Sequence, residues 1–258
     1  MLTAVTSLQL ADRVIKPTSS APSNQGSRSH LEKEEANHMK KLVALFRISI
    51  LVWSVVIPGL VFGQVEAKDS GIPTKENPIH VDSQERSVVI LAEVNGKYLD
   101  QTTRHAIVYS GGRNGNKSVF RSYATPKDFC DALIKIGLKA GDNMTMDNKE
   151  KTLVQGDLLE VTVSWSGSEK KEYRLDDVIA DSNGKPIEVR FGGNLKNALR
   201  YNTGCLLCLD SCPVGITSNA AYTYGAVEKR NEVTFRGKKD VLPPDGTMVL
   251  IKLKAKTK

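Results

Sequence analysis

Three of the four cysteines in this chain crowd into Gly204-Cys205-Leu206-Leu207-Cys208-Leu209-Asp210-Ser211-Cys212-Pro213. The spacing, C-x2-C-x3-C-P, coincides with the last three cysteines and the proline of the bacterial ferredoxin run C-x2-C-x2-C-x3-C-P. The first ligand of that run would fall on Asn202. Two thiolates separated by two residues can turn from one tight loop onto a single metal centre, and soft sulfur selects iron–sulfur, zinc or copper(I). The proline after the last cysteine directs the chain away from the site. A closed set of four thiolates needs one more ligand, and Cys130 is the only cysteine left. Cys130 is equally well explained as a buried core residue.

Other chemistries compete for the same residues. Haem attachment needs C-x-x-C-H, and Leu209 stands where the histidine should be. Thiol exchange through Cys205 and Cys208 lacks the helix terminus that lowers a thiol pKa. Two structural disulfides are the remaining alternative, because an even number of cysteines in an exported chain can pair. Ser218 and Asn219 follow closely enough to hydrogen-bond the sulfurs from outside the ligand set, or simply to make a turn. His105 has no partner at metal or triad spacing and reads as a core or edge histidine. Gly111-Gly112-Arg113-Asn114-Gly115-Asn116 follows a strand without opening a helix, so it reads as a hairpin loop rather than a phosphate cradle. The chain holds no Gly-x-Ser-x-Gly and no His-Glu-x-x-His, and no catalytic residue is assigned.

Short β-branched or aromatic runs must position these groups. They are SVVILAEV, HAIVYS, SVFRSYA, LLEVTVSWS, EYRL, IEVRF, EVTF and MVLIKLK, punctuated by Gly, Asn, Asp or Pro. Leu159, Val161, Val163 and Trp165 alternate onto one face. One helix interrupts the strands: Thr125 is its N-cap and Pro126 its first residue. Phe129, Leu133 and Ile136 form its apolar stripe, and Gly137 or Gly141 ends it. A short helical turn is predicted over residues 175–179. Without regular βαβ alternation, the pattern predicts a β-rich, largely antiparallel α+β domain over residues 85–258, with one main helix packed on the sheet.

The N-terminal quarter reads differently. Residues 39–67 comprise a Met-Lys-Lys start, an apolar run and small residues ahead of Ala67, which is a secretory signal segment cut between Ala67 and Lys68. The apolar run falls short of the ~20 residues of a spanning helix, so membrane contact is expected only through this segment if it stays uncut. Residues 1–38 are polar and without period, an unstructured or over-extended start ahead of Met39. Residues 68–84 read as an extended linker. These features predict an exported protein of the periplasm or cell envelope. The net charge of +7 lies in short clusters mixed with acids, and aromatics are 6% of the chain. Nucleic-acid binding wants a basic stripe interleaved with aromatics, and none is present.

The stretch HAIVYSGGRNGNKSVFRSYATPKDFCDALIKIGLKAGDNM, with Val161–Trp165, Arg174-Leu175-Asp176-Asp177 and Val189-Arg190-Phe191-Gly192-Gly193-Asn194, resembles the YdjY-domain family. The helix entered through proline and the exit Gly137-Leu138-Lys139-Ala140-Gly141 carry the likeness. The segment 204–222 resembles the family's cysteine-bearing branch. The resemblance implies an exported domain, commonly described as ferredoxin-like or iron–sulfur, and no catalytic residues. The functional expectation is an exported redox or metal-binding protein that passes electrons from an iron–sulfur cluster at Cys205, Cys208, Cys212 and Cys130 to a partner protein. The alternative is a non-catalytic envelope or binding module held by disulfides.

Overall fold

Alternating apolar residues build most of the sheet. A computed structural model describes residues 71–256; the expectations for residues 1–38, for the segment 39–67 and for cleavage at Ala67 and Lys68 lie outside them. The strands, in chain order, are β1 (Ile79–Asp82), β2 (Ser87–Val94), β3 (His105–Tyr109), β4 (Ser118–Ser122), β5 (Leu158–Ser164), β6 (Tyr173–Arg174), β7 (Ile179–Asp181), β8 (Val189–Phe191), β9 (Cys205–Cys208), β10 (Thr217–Asn219), β11 (Phe235–Gly237) and β12 (Met248–Ala255). The helices are α1 (Lys97–Asp100), α2 (Pro126–Lys135), α3 (Leu175–Val178) and α4 (Leu195–Tyr201).

The domain is β-rich α+β, and its sheet closes. The order β2-β12-β5-β8-β10-β9-β3-β4 returns to β2 through Ala92↔Ser122, Glu93↔Arg121 and Val94↔Phe120, an eight-stranded barrel. Closure works because β2 divides one edge between two neighbours. Residues 87–90 pair with β1, residues 92–94 pair with β4, and β12 runs along the other edge. β1 lies within the segment expected to be an extended linker. The barrel is mixed, since β3–β4 and β9–β10 are parallel while its other pairs are antiparallel. β6 adds to β5, and β7 pairs with β11 in a separate two-stranded sheet.

Closure removes the sheet edges and leaves an interior that side chains must fill. Val161 and Val163 of β5, Val249, Ile251 and Leu253 of β12 and Val88, Ile90 and Ala92 of β2 fill it, with Phe120 and Phe191 among the largest buried side chains. Leu159, Val161 and Val163 are buried as expected, and Trp165 stacks half-buried on Tyr173 at 4.7 Å. In α2, Thr125 Oγ1 accepts the Asp128 N–H at 3.2 Å, and Phe129, Cys130, Ala132 and Leu133 turn inward. The helix stops at Gly137, whose φ of 80° is left-handed. There Gly137 N–H donates to Ile134 O and Leu138 N–H to Leu133 O, the paired bonds that satisfy a helix's last carbonyls. The helical turn expected at 175–179 is α3. No helix among the described residues is long and apolar enough to cross a membrane.

Candidate metal centre

Cys205 and Cys208 are carried by a strand, β9, not by the loop their spacing suggests. β9 lies between β3, antiparallel, and β10, parallel. In a regular strand, residues three apart point to opposite faces, which would divide Cys205 from Cys208. Two irregularities prevent this: the register runs His105↔Cys208, Ile107↔Leu207, Val108↔Cys205, so Ala106 on β3 and Leu206 on β9 are each one residue extra. Ala106, Ile107, Leu206 and Leu207 therefore all enter the main core, while Val108, Cys205, Cys208 and Cys212 form a second buried cluster on the other side.

His105 joins that second side. Its Nδ1 lies 3.5 Å from Cys205 Sγ and 3.9 Å from Cys208 Sγ. The expectation of a partnerless histidine is thus overturned, because β3 delivers it from a hundred residues upstream. The three ligand atoms all lie within 4.8 Å of one another, and the residues are buried. They could hold a metal ion. A tetrahedral ion with Zn–S of about 2.3 Å and Zn–N of about 2.0–2.1 Å sets its S···N edges at about 3.6 Å, which brackets well with the observed pair.

The sulfurs are already polarised toward metal chemistry. Cys205 is held well below the usual thiol range by the hydrogen bond from Cys208, with His105 adding to it against the effect of burial. Cys208 is pushed well above that range by the same bond, by Cys212 and by burial. A metal ion would displace the thiol protons, because ligating sulfur is the thiolate.

Neighbouring elements shape the pocket around the sulfurs. Cys212-Pro213-Val214-Gly215 is a turn closed by Gly215 N–H to Cys212 O, and the Asn194 amide donates to the carbonyls of Cys212 and Gly215, both at 3.1 Å. A Cβ on Gly215 would meet Cys208 Sγ and Ser218 Oγ, each at 3.0 Å, so glycine preserves the space over the sulfur. Ser218 pairs in register with Cys208, is fully buried, and its hydroxyl has no hydrogen-bond partner. Asn219 does not face the sulfurs; its amide donates to Leu209 O and accepts the N–H groups of Glu188 and Ala221.

The glycine-rich stretch is not a hairpin loop. β3 and β4 are parallel, so the intervening residues return alongside the barrel, and Arg113 and Asn114 N–H donate to the carbonyls of Asn202 and Thr203. A Cβ on Gly112 would sit 2.5 Å from Gly204 Cα, so only glycine allows this approach. The approach carries the Asn114 amide to 3.9 Å from Cys205 Sγ.

Beneath the cluster lies a buried ion pair that the sequence did not disclose. Arg104 Nη2 and Nε donate to Asp210 Oδ1 at 2.5 and 3.2 Å, and Asp210 Oδ2 accepts Gly225 N–H at 2.9 Å. Burial disfavours the Arg104 charge, but its surroundings, the bonded Asp210 carboxylate among them, outweigh that and raise the guanidinium pKa. Burial pushes the Asp210 carboxyl up, against the pull of Arg104. Cys130 stands apart. It packs in the main core on α2, outside the cluster of the other three cysteines, and burial pushes its thiol up to about 11. The group that gathers is therefore His105, Cys205 and Cys208, with Cys212 alongside.

The YdjY domain matches residues 79–254, which spans β1 to β12 and every residue of this site. The chain is 53% identical over 181 residues to a protein of Escherichia coli (strain K12) named Uncharacterized protein YdjY, covering 70% of this chain and 80% of that protein. No solved structure matches significantly. On the extent of the domain match and on this identity, the chain belongs to the YdjY domain family.

Proposed function

We propose that this protein binds a single soft or borderline metal ion, zinc foremost, through His105 Nδ1, Cys205 Sγ and Cys208 Sγ. The observation that carries the reading is the pair of 3.5 and 3.9 Å separations between one imidazole nitrogen and two sulfurs. Cys212 lies in the same buried cluster but outside this convergent set of three, so the protein leaves a fourth position on the metal open. The unpartnered Ser218 hydroxyl supports the reading, since a buried polar atom beside the sulfurs gains a partner when they become metal-bound thiolates.

An iron–sulfur cluster remains the second reading, favoured by the C-x2-C-x3-C-P spacing. It fits less well: a cluster spreads its thiolates over several irons, whereas these ligand atoms converge on one point, and Cys130 does not join them. The signal-like segment 39–67 supports export to the envelope, where the centre would serve a redox or binding partner protein.

The test is native and denaturing mass spectrometry of the full chain, purified without oxygen, with elemental analysis. One metal ion per chain, lost in the variants C205S, C208S and H105A, is expected. Iron with acid-labile sulfide would replace the single-ion reading by a cluster. A metal-free protein whose non-reduced mass is short by two or four hydrogens would mean disulfides in place of metal ligands and sink both.

A further inference from the structure

The cysteine cluster is not sealed. A cavity of about 360 Å³ opens onto it, with His105, Cys205 and Cys212 among the residues that line it. Its other walls have two distinct characters. Tyr201, Pro213, Val214, Met146 and Tyr224 supply aromatic and apolar surface, and Arg104, Arg113 and Lys117 supply positive charge. The one carboxylate in the lining, Glu228, is exposed and already lies 3.7 Å from Arg104 Nη1. Arg104 is committed to Asp210 and its guanidinium sits 4.3 Å from the Tyr224 ring centre. Arg113 and Lys117 are both exposed and, among the described residues, neither belongs to an ion pair.

A cavity with uncommitted cations, apolar walls and a metal-ligating floor selects for one ligand chemistry. The volume lies at the small end of the range for small-molecule sites. The cations ask for an anionic head, for which a planar carboxylate suits the fork of an arginine. The tyrosine walls ask for an apolar body on that head. A bare inorganic oxyanion would leave those walls unused. A zinc site with fewer than four protein ligands keeps a position open, and carboxylate oxygen is an accepted ligand there.

We propose that this cavity binds a small organic carboxylate, held by Arg113 and Lys117 and directed toward the open side of the metal centre. The contact with the metal rests on the reading of His105, Cys205 and Cys208 as ligands; the binding to the cavity does not. Benzoate, benzamide and inorganic phosphate are the probes, titrated by calorimetry into the full chain, metal-free and cobalt(II)-loaded, with the cobalt d–d bands followed in parallel. Benzoate should bind about tenfold more tightly than neutral benzamide, and R113Q/K117Q should lose roughly tenfold in benzoate affinity while cobalt content is unchanged. The cobalt bands should move with benzoate. Equal binding of benzoate and benzamide, or none, overturns the proposal, and phosphate bound as tightly as benzoate overturns its organic part. Benzoate binding that leaves the bands unmoved removes the metal contact. A protein that takes up no cobalt refutes the metal reading alone, and the metal-free titration still decides the cavity.

Discussion

Replacing Asp210 by asparagine should destabilise the protein far more than a one-atom change suggests. The carboxylate is fully buried and accepts three hydrogen bonds, two from Arg104 on Oδ1 and one from Gly225 N–H on Oδ2. Both oxygens face donors. An asparagine amide has one acceptor, so whichever way it turns, its NH2 group points at a donor. The variant therefore loses a charge-assisted bond and leaves a buried donor unpaired. It also strips the charge partner from a guanidinium that is itself buried. Breaking a buried pair from one side costs about 3–5 kcal/mol, and Glu228, exposed at 3.7 Å, cannot offset much of it. Urea denaturation of the metal-free, reduced protein measures the cost without involving the cysteine chemistry. With a slope of about 2 kcal/mol/M, the midpoint should fall by roughly 1.5–2.5 M. The double variant R104M/D210L, which removes both charges, should be less destabilised than Asp210→Asn. A midpoint shift in Asp210→Asn below about 0.5 M, or a double variant worse than the single one, would show that the pair is solvated and that the reasoning fails.

Three further expectations follow from individual contacts. His105→Ala should weaken zinc binding about 100-fold or more, roughly one ligand's share of the binding free energy of a structural zinc, read by competition with a chromogenic chelator. Thr125→Ala removes the acceptor for Asp128 N–H at the start of α2 and should cost about 1 kcal/mol in urea denaturation, with Thr125→Ser close to wild type. Tyr222, buried and donating to Asp181 at 2.8 Å, has its phenol pushed up to about 12 by burial and by that bond. The unfolded chain loses this proton near pH 10 while the folded chain keeps it, so stability should fall between about pH 10 and 12, by up to about 3 kcal/mol. Tyr222→Phe should remove that part of the decline; urea midpoints of the two proteins across the range measure the difference.

Alternating side chains made the long strands legible. β2, β5 and β12 each bury an alternating apolar set, Val88-Ile90-Ala92, Leu159-Val161-Val163 and Val249-Ile251-Leu253, and Thr125-Pro126 announced α2 because its cap chemistry is local. β1 escaped because its residues are half-buried and follow two prolines. The barrel itself was not visible in any segment. It depends on β2 sharing one edge between β1 and β4, a property of pairing rather than of composition. The parallel return from β3 to β4 was hidden for a related reason: a glycine-rich stretch between two strands signals a hairpin, and nothing in its residues says that the second strand runs the same way as the first.

The site divides along the same line. The cysteine spacing was readable and pointed to soft-metal chemistry, but it implied a loop, because Cys-Leu-Leu-Cys in a regular strand would put one sulfur inside the barrel and the other outside. The strand resolves the conflict by spending one extra residue. With Leu206 as the extra residue on β9 and Ala106 on β3, both middle residues of Cys205-Leu206-Leu207-Cys208 and of His105-Ala106-Ile107-Val108 enter the core, and both outer residues leave it. The two segments are thus the same device used twice, face to face. Each extra residue alone would rotate one strand out of step with its partner; together they keep the ladder paired and bring an imidazole onto two thiols. This is why His105 carried no signal in the sequence. Its role is fixed by a register shift in a strand a hundred residues away, and the buried apolar pairs that enforce that shift look, in sequence, like ordinary core.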